Sequence, residues 1–116
     1  MSHIVHVDNS EFFRKLMKTF LSELGHESES FAKGEEAIAA VKAGRAEWVI
    51  SGMSLADMSG EEFIKRLMVS DKSAPVIVVT SADDETQLKR IKALGVKAAM
   101  QKSADWKSDL AEILTG

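Results

Sequence analysis

Five short strand-like runs alternate along this chain with five segments of helical periodicity, and the alternation is strict. The runs are Ile4–Val7, Glu27–Phe31, Trp48–Ser51, Pro75–Thr80 and Ala98–Gln101. Strict strand-helix alternation implies parallel strands with helices on both faces. Pro75–Thr80 is the clearest strand, β-branched through its middle, with its proline at the start where a missing ladder donor is tolerated. Ile4–Val7, interrupted by His6, suits a central strand covered on both sides. Glu27–Phe31 is polar and belongs at an edge. The expected fold is α/β: a doubly wound, five-stranded parallel sheet, (βα)5, in three α/β/α layers, with residues 1–116 as one domain.

The helices carry their own punctuation. Phe12, Phe13, Leu16, Met17, Phe20, Leu21 and Leu24 recur at helical spacing, opposite Arg14, Lys15, Lys18 and Ser22, and predict one apolar face. Gly25, Gly44 and Gly95 stand where helix C-termini favour a left-handed residue. Ala37, Ile38 and Val41 mark the second helix. Ser59 and Glu62 read as a capping box opening the third, which is expected to bury Phe63, Ile64, Leu67 and Met68. Asp83 and Asp84 precede a fourth helix with Leu88, Ile91 and Leu94. Ser103 or Asp105 caps a fifth with Trp106, Leu110, Ile113 and Leu114. Trp48 and Trp106 read as packing residues, Trp106 alternatively as a partner anchor. His6 reads as a hydrogen-bonded core residue, and His3 and His26 as exposed.

Composition bounds the function. A length of 116 residues with 45% hydrophobic and 28% charged residues is that of an ordinary soluble domain. A net charge of −3 gives no case for nucleic-acid binding. No apolar stretch approaches the ~20 residues needed to cross a bilayer, and the first residues lack the pattern of a signal peptide. Without cysteine there is neither a disulfide nor a thiolate metal site. A cytoplasmic location is expected. The chain ends just after its last helix, at Thr115-Gly116, as a small protein or one domain of a longer one would.

In a doubly wound sheet the ligand crevice lies outside the carboxyl ends of the strands, where strand order reverses. The residues to weigh are therefore Asp8, Asn9, Gly52, Thr80, Ser81 and Lys102. Asp8 and Asn9 offer oxygen ligands suited to a hard cation such as magnesium. Thr80 offers a hydroxyl, and Lys102 a charge that can meet a phosphoryl oxygen or a carboxylate. Taken singly, each has an ordinary reading: a turn residue, strand filler, a solvated lysine. Their convergence on one sheet edge is the signal.

With Val7-Asp8-Asn9-Ser10, Ser22-Glu23-Leu24-Gly25, Met58-Ser59-Gly60, Val79-Thr80-Ser81-Ala82, Leu94-Gly95-Val96 and Gln101-Lys102 in this order and spacing, the chain resembles the receiver domains of two-component response regulators, the CheY-like, flavodoxin-like fold. The resemblance covers essentially the whole length. It implies an acceptor aspartate at the end of the third strand that takes a phosphoryl group from a histidine kinase. It also implies acidic residues after the first strand that help hold magnesium. Carried over, Asp8 and Asn9 match the acidic positions, the Ser54 carbonyl the backbone metal ligand, Thr80 the switch hydroxyl and Lys102 the lysine.

The departures are Gly52 at the acceptor position, Asn9 for a carboxylate, Ala56 and Ser103 for prolines, and Ala99 for an aromatic switch. Phosphoryl transfer needs an attacking atom, and glycine has none. With one carboxylate left of the family's three, the pocket Asp8, Asn9, Gly52, Thr80 and Lys102 is expected to bind magnesium weakly or not at all. Lys102 is expected to turn toward Asp8 or into solvent, and water to fill the space beside Gly52. Asp57, on a loop of poorly fixed geometry, and Ser51 and Ser54, without an activating base, are poor substitute acceptors.

The resulting expectation is a non-enzymatic pseudo-receiver acting by protein-protein contact within a phosphorelay. Its partners would be a histidine kinase, an effector domain or another receiver, with a homodimer through the fourth helix, fifth strand and fifth helix. The alternatives are an ordinary receiver whose acceptor has been replaced, or a small flavodoxin-like cofactor enzyme, which would lack a glycine-rich phosphate turn.

Overall fold

A computed structural model describes residues 2–44, 46–69, 74–82 and 84–115. The chain runs β1 (His3–Val7), α1 (Glu11–Glu23), β2 (Glu27–Phe31), α2 (Gly34–Lys42), β3 (Trp48–Ser51), α3 (Gly60–Val69), β4 (Val76–Thr80), α4 (Glu85–Lys92), β5 (Ala98–Gln101) and α5 (Trp106–Thr115). All pairings are parallel, in the order β2-β1-β3-β4-β5. Polar β2 is an edge, as its composition predicts. Strand order reverses between β1 and β3, so their carboxyl ends, at Val7 and Ser51, flank the switch point.

The two core layers follow from the period of two along each strand. Ile4, Ile50, Ile77, Val79 and Met100 face Phe13, Met17 and Leu21 of α1 and Trp106 and Leu110 of α5. Val5, Val7, Val49, Val76 and Val78 face α2, α3 and α4 through Ala37, Val41, Phe63, Ile64, Leu67 and Ile91. Every residue of β4 is buried, which explains its uninterrupted apolar run. The edges of these elements are set locally. Ser10 Oγ accepts from Phe13 N at 3.1 Å to cap α1, and Gly25 closes it at φ 89°. Gly44 and Gly95 follow α2 and α4 at φ 84° and 95°.

Several expectations are corrected. Phe12 is 76% exposed. The buried stripe of α1 is Phe13, Met17 and Leu21, while Leu16, Phe20 and Leu24 are half-buried. Phe12 opens that half-covered row, in the first turn of the helix. Met68 is exposed as well, in the last turn of α3 beyond Leu67. Only half of the capping box forms. Ser59 Oγ accepts from Glu62 N at 3.1 Å, but the Glu62 carboxylate accepts from Arg66 Nε at 2.8 Å instead of reaching back.

Asp84 caps α4, accepting from Thr86 N, while Asp83 lies outside the described residues. Asp105, not Ser103, serves α5, accepting from Ser108 N at 3.3 Å. His3 and His26 are half-buried. His3 Nε2 meets Glu29 Oε2 at 2.7 Å, and His26 Nδ1 accepts from Ser2 N at 3.3 Å. Trp106 is buried among Phe13 and Phe20, so it packs and does not anchor a partner. His6 is buried with neither ring nitrogen hydrogen-bonded within the described residues.

Candidate functional site

At the carboxyl edge of the sheet a cleft of about 230 Å3 is lined by Asp8, Asn9, Ser54, Thr80, Ser81 and Lys102, with Ser10, Met53 and Val79. Each polar group arrives from a different strand end because parallel strands all finish on this edge. Gly52 is buried beside the cleft, at the end of β3, and its N–H donates to Val7 O at 2.9 Å. A groove of about 480 Å3 between α2 and α3 is larger. It lies away from the strand ends, and Arg66, Glu35 and Glu62 in it are already paired with one another.

Asp8 is the centre of the site. It is 3% exposed. Its Oδ1 accepts from Ser10 N at 2.9 Å, and its carbonyl accepts from Arg14 Nη1 at 2.8 Å. Its Oδ2 lies 3.0 Å from Lys102 Nζ, so of the two placements expected for this lysine, Asp8 or solvent, it takes the first. That contact is an ion pair whose angles do not make a hydrogen bond. The ammonium also lies 4.1 Å from the centre of the Phe13 ring.

A β-carbon placed on Gly52 would stand 2.5 Å from Asp8 Oδ2 and 3.0 Å from Asp8 Cγ. The space beside Gly52, expected to hold water, is thus taken up by the Asp8 carboxylate.

Thr80 is buried, and its Oγ1 accepts from Ala82 N at 3.0 Å. Lys102 N donates to Thr80 O at 2.7 Å, tying the two strand ends together. Asn9 is exposed, and its backbone N–H donates to the Ser54 carbonyl at 3.1 Å. These donors do not fit magnesium. Among the described residues lining the cleft only one carboxylate is present; its Oδ2 faces a cation and its Oδ1 takes a backbone N–H. The carbonyl of Ser54 is engaged too. No group of three His, Cys, Asp or Glu side chains among the described residues could hold a metal ion. Magnesium wants near-octahedral oxygen ligation and sheds water reluctantly.

Asp57 corrects the expectation of a loosely held loop residue. Its Oδ1 accepts from Gly34 N at 2.6 Å and its Oδ2 from Glu35 N at 3.1 Å. It caps α2 from the β3–α3 loop, where Lys33 at the N-cap gives no side-chain bond. Desolvation pushes its carboxyl up, but the Gly34 and Glu35 amides and the Lys33 charge outweigh that and hold it below its ordinary value. Ser51 Oγ donates to the Gly52 carbonyl at 2.7 Å, and Ser54 is exposed.

Sequence reasoning missed three contributors. Phe13 looked like core packing and is also the platform under Lys102. Arg14 looked like a solvated lysine-like charge and binds the Asp8 carbonyl. Gly60 looked like a helix opener, but a β-carbon there would meet the Gly52 carbonyl and, at 2.7 Å, Met53 Cα. His6 sits behind Phe13, with ring centres 6.0 Å apart. Burial drives its imidazole down to about 4. Asp8 pulls it up, and Lys102 and Arg14 push it further down.

The model of the response regulator receiver domain matches residues 4–114. The chain belongs to the receiver family. Sporulation initiation phosphotransferase F of Bacillus subtilis is 28% identical to this receiver over 102 residues, 88% of this chain and 82% of that protein. The protein-glutamate methylesterase/protein-glutamine glutaminase of Bacillus licheniformis is 33% identical over 84 residues, 70% of this chain but 23% of that enzyme. The chemotaxis response regulator CheY4 of Vibrio cholerae superposes with a TM-score of 0.86 at 26% identity, covering 99% of this receiver and 97% of that chain. In the receiver no helix among the described residues is long and apolar enough to cross a membrane.

Proposed function

We propose that this receiver is a pseudo-receiver: a two-component signalling module that works by shape and contact and is not covalently phosphorylated. The observation that carries the reading is Gly52 at the end of β3, with the Asp8 carboxylate turned into the space an acceptor side chain would need. No atom at position 52 can attack phosphorus. The neighbouring candidates are spoken for: Asp57 is a helix cap, and Ser51 donates to Gly52. The remaining charges, Asp8 and Lys102, neutralise each other. The module is not itself an enzyme in this reading. Its partners are proteins: a kinase, an effector domain or a second receiver. A relative named as a phosphotransferase supports a phosphorelay setting.

The test is intact mass after incubation with acetyl phosphate and magnesium. The wild-type protein is expected to stay unmodified. A hydroxylamine-labile phosphoryl adduct would overturn the reading. Gly52→Asp addresses the alternative of an ordinary receiver whose acceptor was replaced. Ready phosphorylation of that variant would mean that a single change disabled the site. Resistance is expected, because Asn9 would still leave the pocket short of a metal carboxylate.

A further inference from the structure

The Phe13 ring has a use beyond filling the core. Lys102 Nζ stands 4.1 Å from its centre and 3.0 Å from Asp8 Oδ2. The ring is fixed in place. Phe13 is 5% exposed, with Trp106 packed at 5.2 Å between ring centres and His6 at 6.0 Å. An aromatic face draws an ammonium ion through its quadrupole, and a buried carboxylate draws it through charge. Both attractions act on one nitrogen.

We propose, resting on the pseudo-receiver reading, that Lys102 is a tethered cation that closes this pocket to divalent ions, with Phe13 as the positioning residue that holds it there. Of the two Asp8 oxygens, Oδ1 already accepts from Ser10 N, and Oδ2 is the one without a hydrogen-bond donor. An incoming ion would meet the Lys102 ammonium at Oδ2, and like charges repel. Displacing the ammonium would break two contacts. The ion would gain one carboxylate and neutral oxygens such as the Ser54 carbonyl, which already accepts from Asn9 N. Magnesium does not give up water for such a set. Gly52 belongs to the same device. A β-carbon there would stand 2.5 Å from Oδ2, so the carboxylate can hold this orientation only where position 52 lacks a side chain. The missing nucleophile and the closed cation site are thus one structural change.

The test is nuclear magnetic resonance on the labelled full chain, with manganese as the paramagnetic probe and magnesium as its diamagnetic counterpart. Protons of the Lys102 ε-methylene, bonded to the nitrogen that stands over the Phe13 ring, are expected to resonate upfield through the ring current. Millimolar magnesium is expected to leave them unmoved. Phe13→Leu is expected to abolish the upfield shift, and Gly52→Ala to reduce it by displacing Asp8. Lys102→Met is expected to let manganese broaden the Asp8, Asn9 and Ser10 amides at a roughly tenfold lower concentration than in wild type. Gly52→Ala, which keeps the lysine, gives the same comparison should Lys102→Met fail to fold.

Saturable broadening of the wild-type amides at micromolar manganese would overturn the proposal. So would a Lys102 resonance indifferent to Phe13→Leu. Either result leaves the pseudo-receiver reading standing, since a domain can bind a cation and still have no acceptor. A phosphoryl adduct on the wild type would remove that reading instead.

Discussion

The Asp8 carboxylate occupies the room that a side chain at Gly52 would require: its Oδ2 lies 2.5 Å from the position of a β-carbon there. The two residues end neighbouring strands, β1 and β3, at the point where strand order reverses. In this geometry a one-carbon change at position 52 is a change to the orientation of the Asp8 carboxylate in the pocket.

Two glycine substitutions should therefore behave differently. At Gly52 the added methyl meets the tip of a side chain that can swing away, so Gly52→Ala is expected to cost about 1 kcal/mol or less. At Gly60 it meets backbone, the Met53 Cα at 2.7 Å, which cannot yield without moving the β3–α3 loop. Gly60→Ala is expected to cost about 2–3 kcal/mol. Urea denaturation of the two variants measures the contrast, and equal costs would contradict the placement of α3 against β3.

Lys102→Met should leave a carboxylate that is 5% exposed without its cation. Breaking a buried pair typically costs ~3–5 kcal/mol. Because Lys102 is itself 24% exposed, the loss is expected near or below the lower end. Asp8→Asn combined with Lys102→Met is expected to be milder than the sum of the single changes. A double-mutant cycle reports that coupling, and strict additivity would show that the pair contributes nothing.

Asp57→Ala should loosen the start of α2 without touching any phosphoryl chemistry. The carboxylate accepts from two amides of a helix whose own N-cap residue, Lys33, gives no side-chain bond. Hydrogen exchange at Gly34 and Glu35 is expected to accelerate and Tm to fall. Unchanged protection of those two amides would show that the cap is not formed in solution.

His6 predicts an acid limit. Its folded value, about 4, lies below the ordinary 6.5, so between those values the unfolded chain holds the extra proton. Stability is fully present above pH 6.5 and falls as pH drops toward 4. The full shift corresponds to about 3 kcal/mol. His6→Leu also removes two buried ring nitrogens that lack hydrogen bonds among the described residues. It is expected to flatten the loss between pH 6.5 and 4 and to raise stability at pH 7. Parallel denaturation of both proteins at several pH values would settle it, and matching slopes would clear His6 of the effect.

Much of this was readable along the chain because it depends on short-range periodicity and punctuation. Alternating valines and isoleucines set the two faces of β1, β3 and β4. The glycines after α1, α2 and α4 marked their ends by what φ demands. The errors sit where a residue's neighbours come from elsewhere. Phe12 shares a helical row with Leu16 and Phe20, but of that row the core takes Leu16 and Phe20 in part and leaves Phe12 uncovered. Asp57 looked like a loop side chain because its partners, Gly34 and Glu35, are over twenty positions away in sequence. Glu62 had a local partner in view, Ser59, and turned to Arg66 one helical turn on instead.

The amino-acid sequence by itself determined the parallel α/β architecture, the set of strand ends that meet at one edge, and the absence of any nucleophile at Gly52. Periodicity and residue chemistry are properties of the chain and survive without coordinates. Only the tertiary structure decided what the remaining charges do. The Asp8 carboxylate, the Lys102 ammonium and the Phe13 ring come from β1, the end of β5 and α1, and their mutual distances are set by how those elements pack. Coulombic and cation-π attraction both fall away with separation, so the chain left Lys102 two places, Asp8 or solvent, and only the packing of α1 against β1 and β5 set its ammonium between carboxylate and ring.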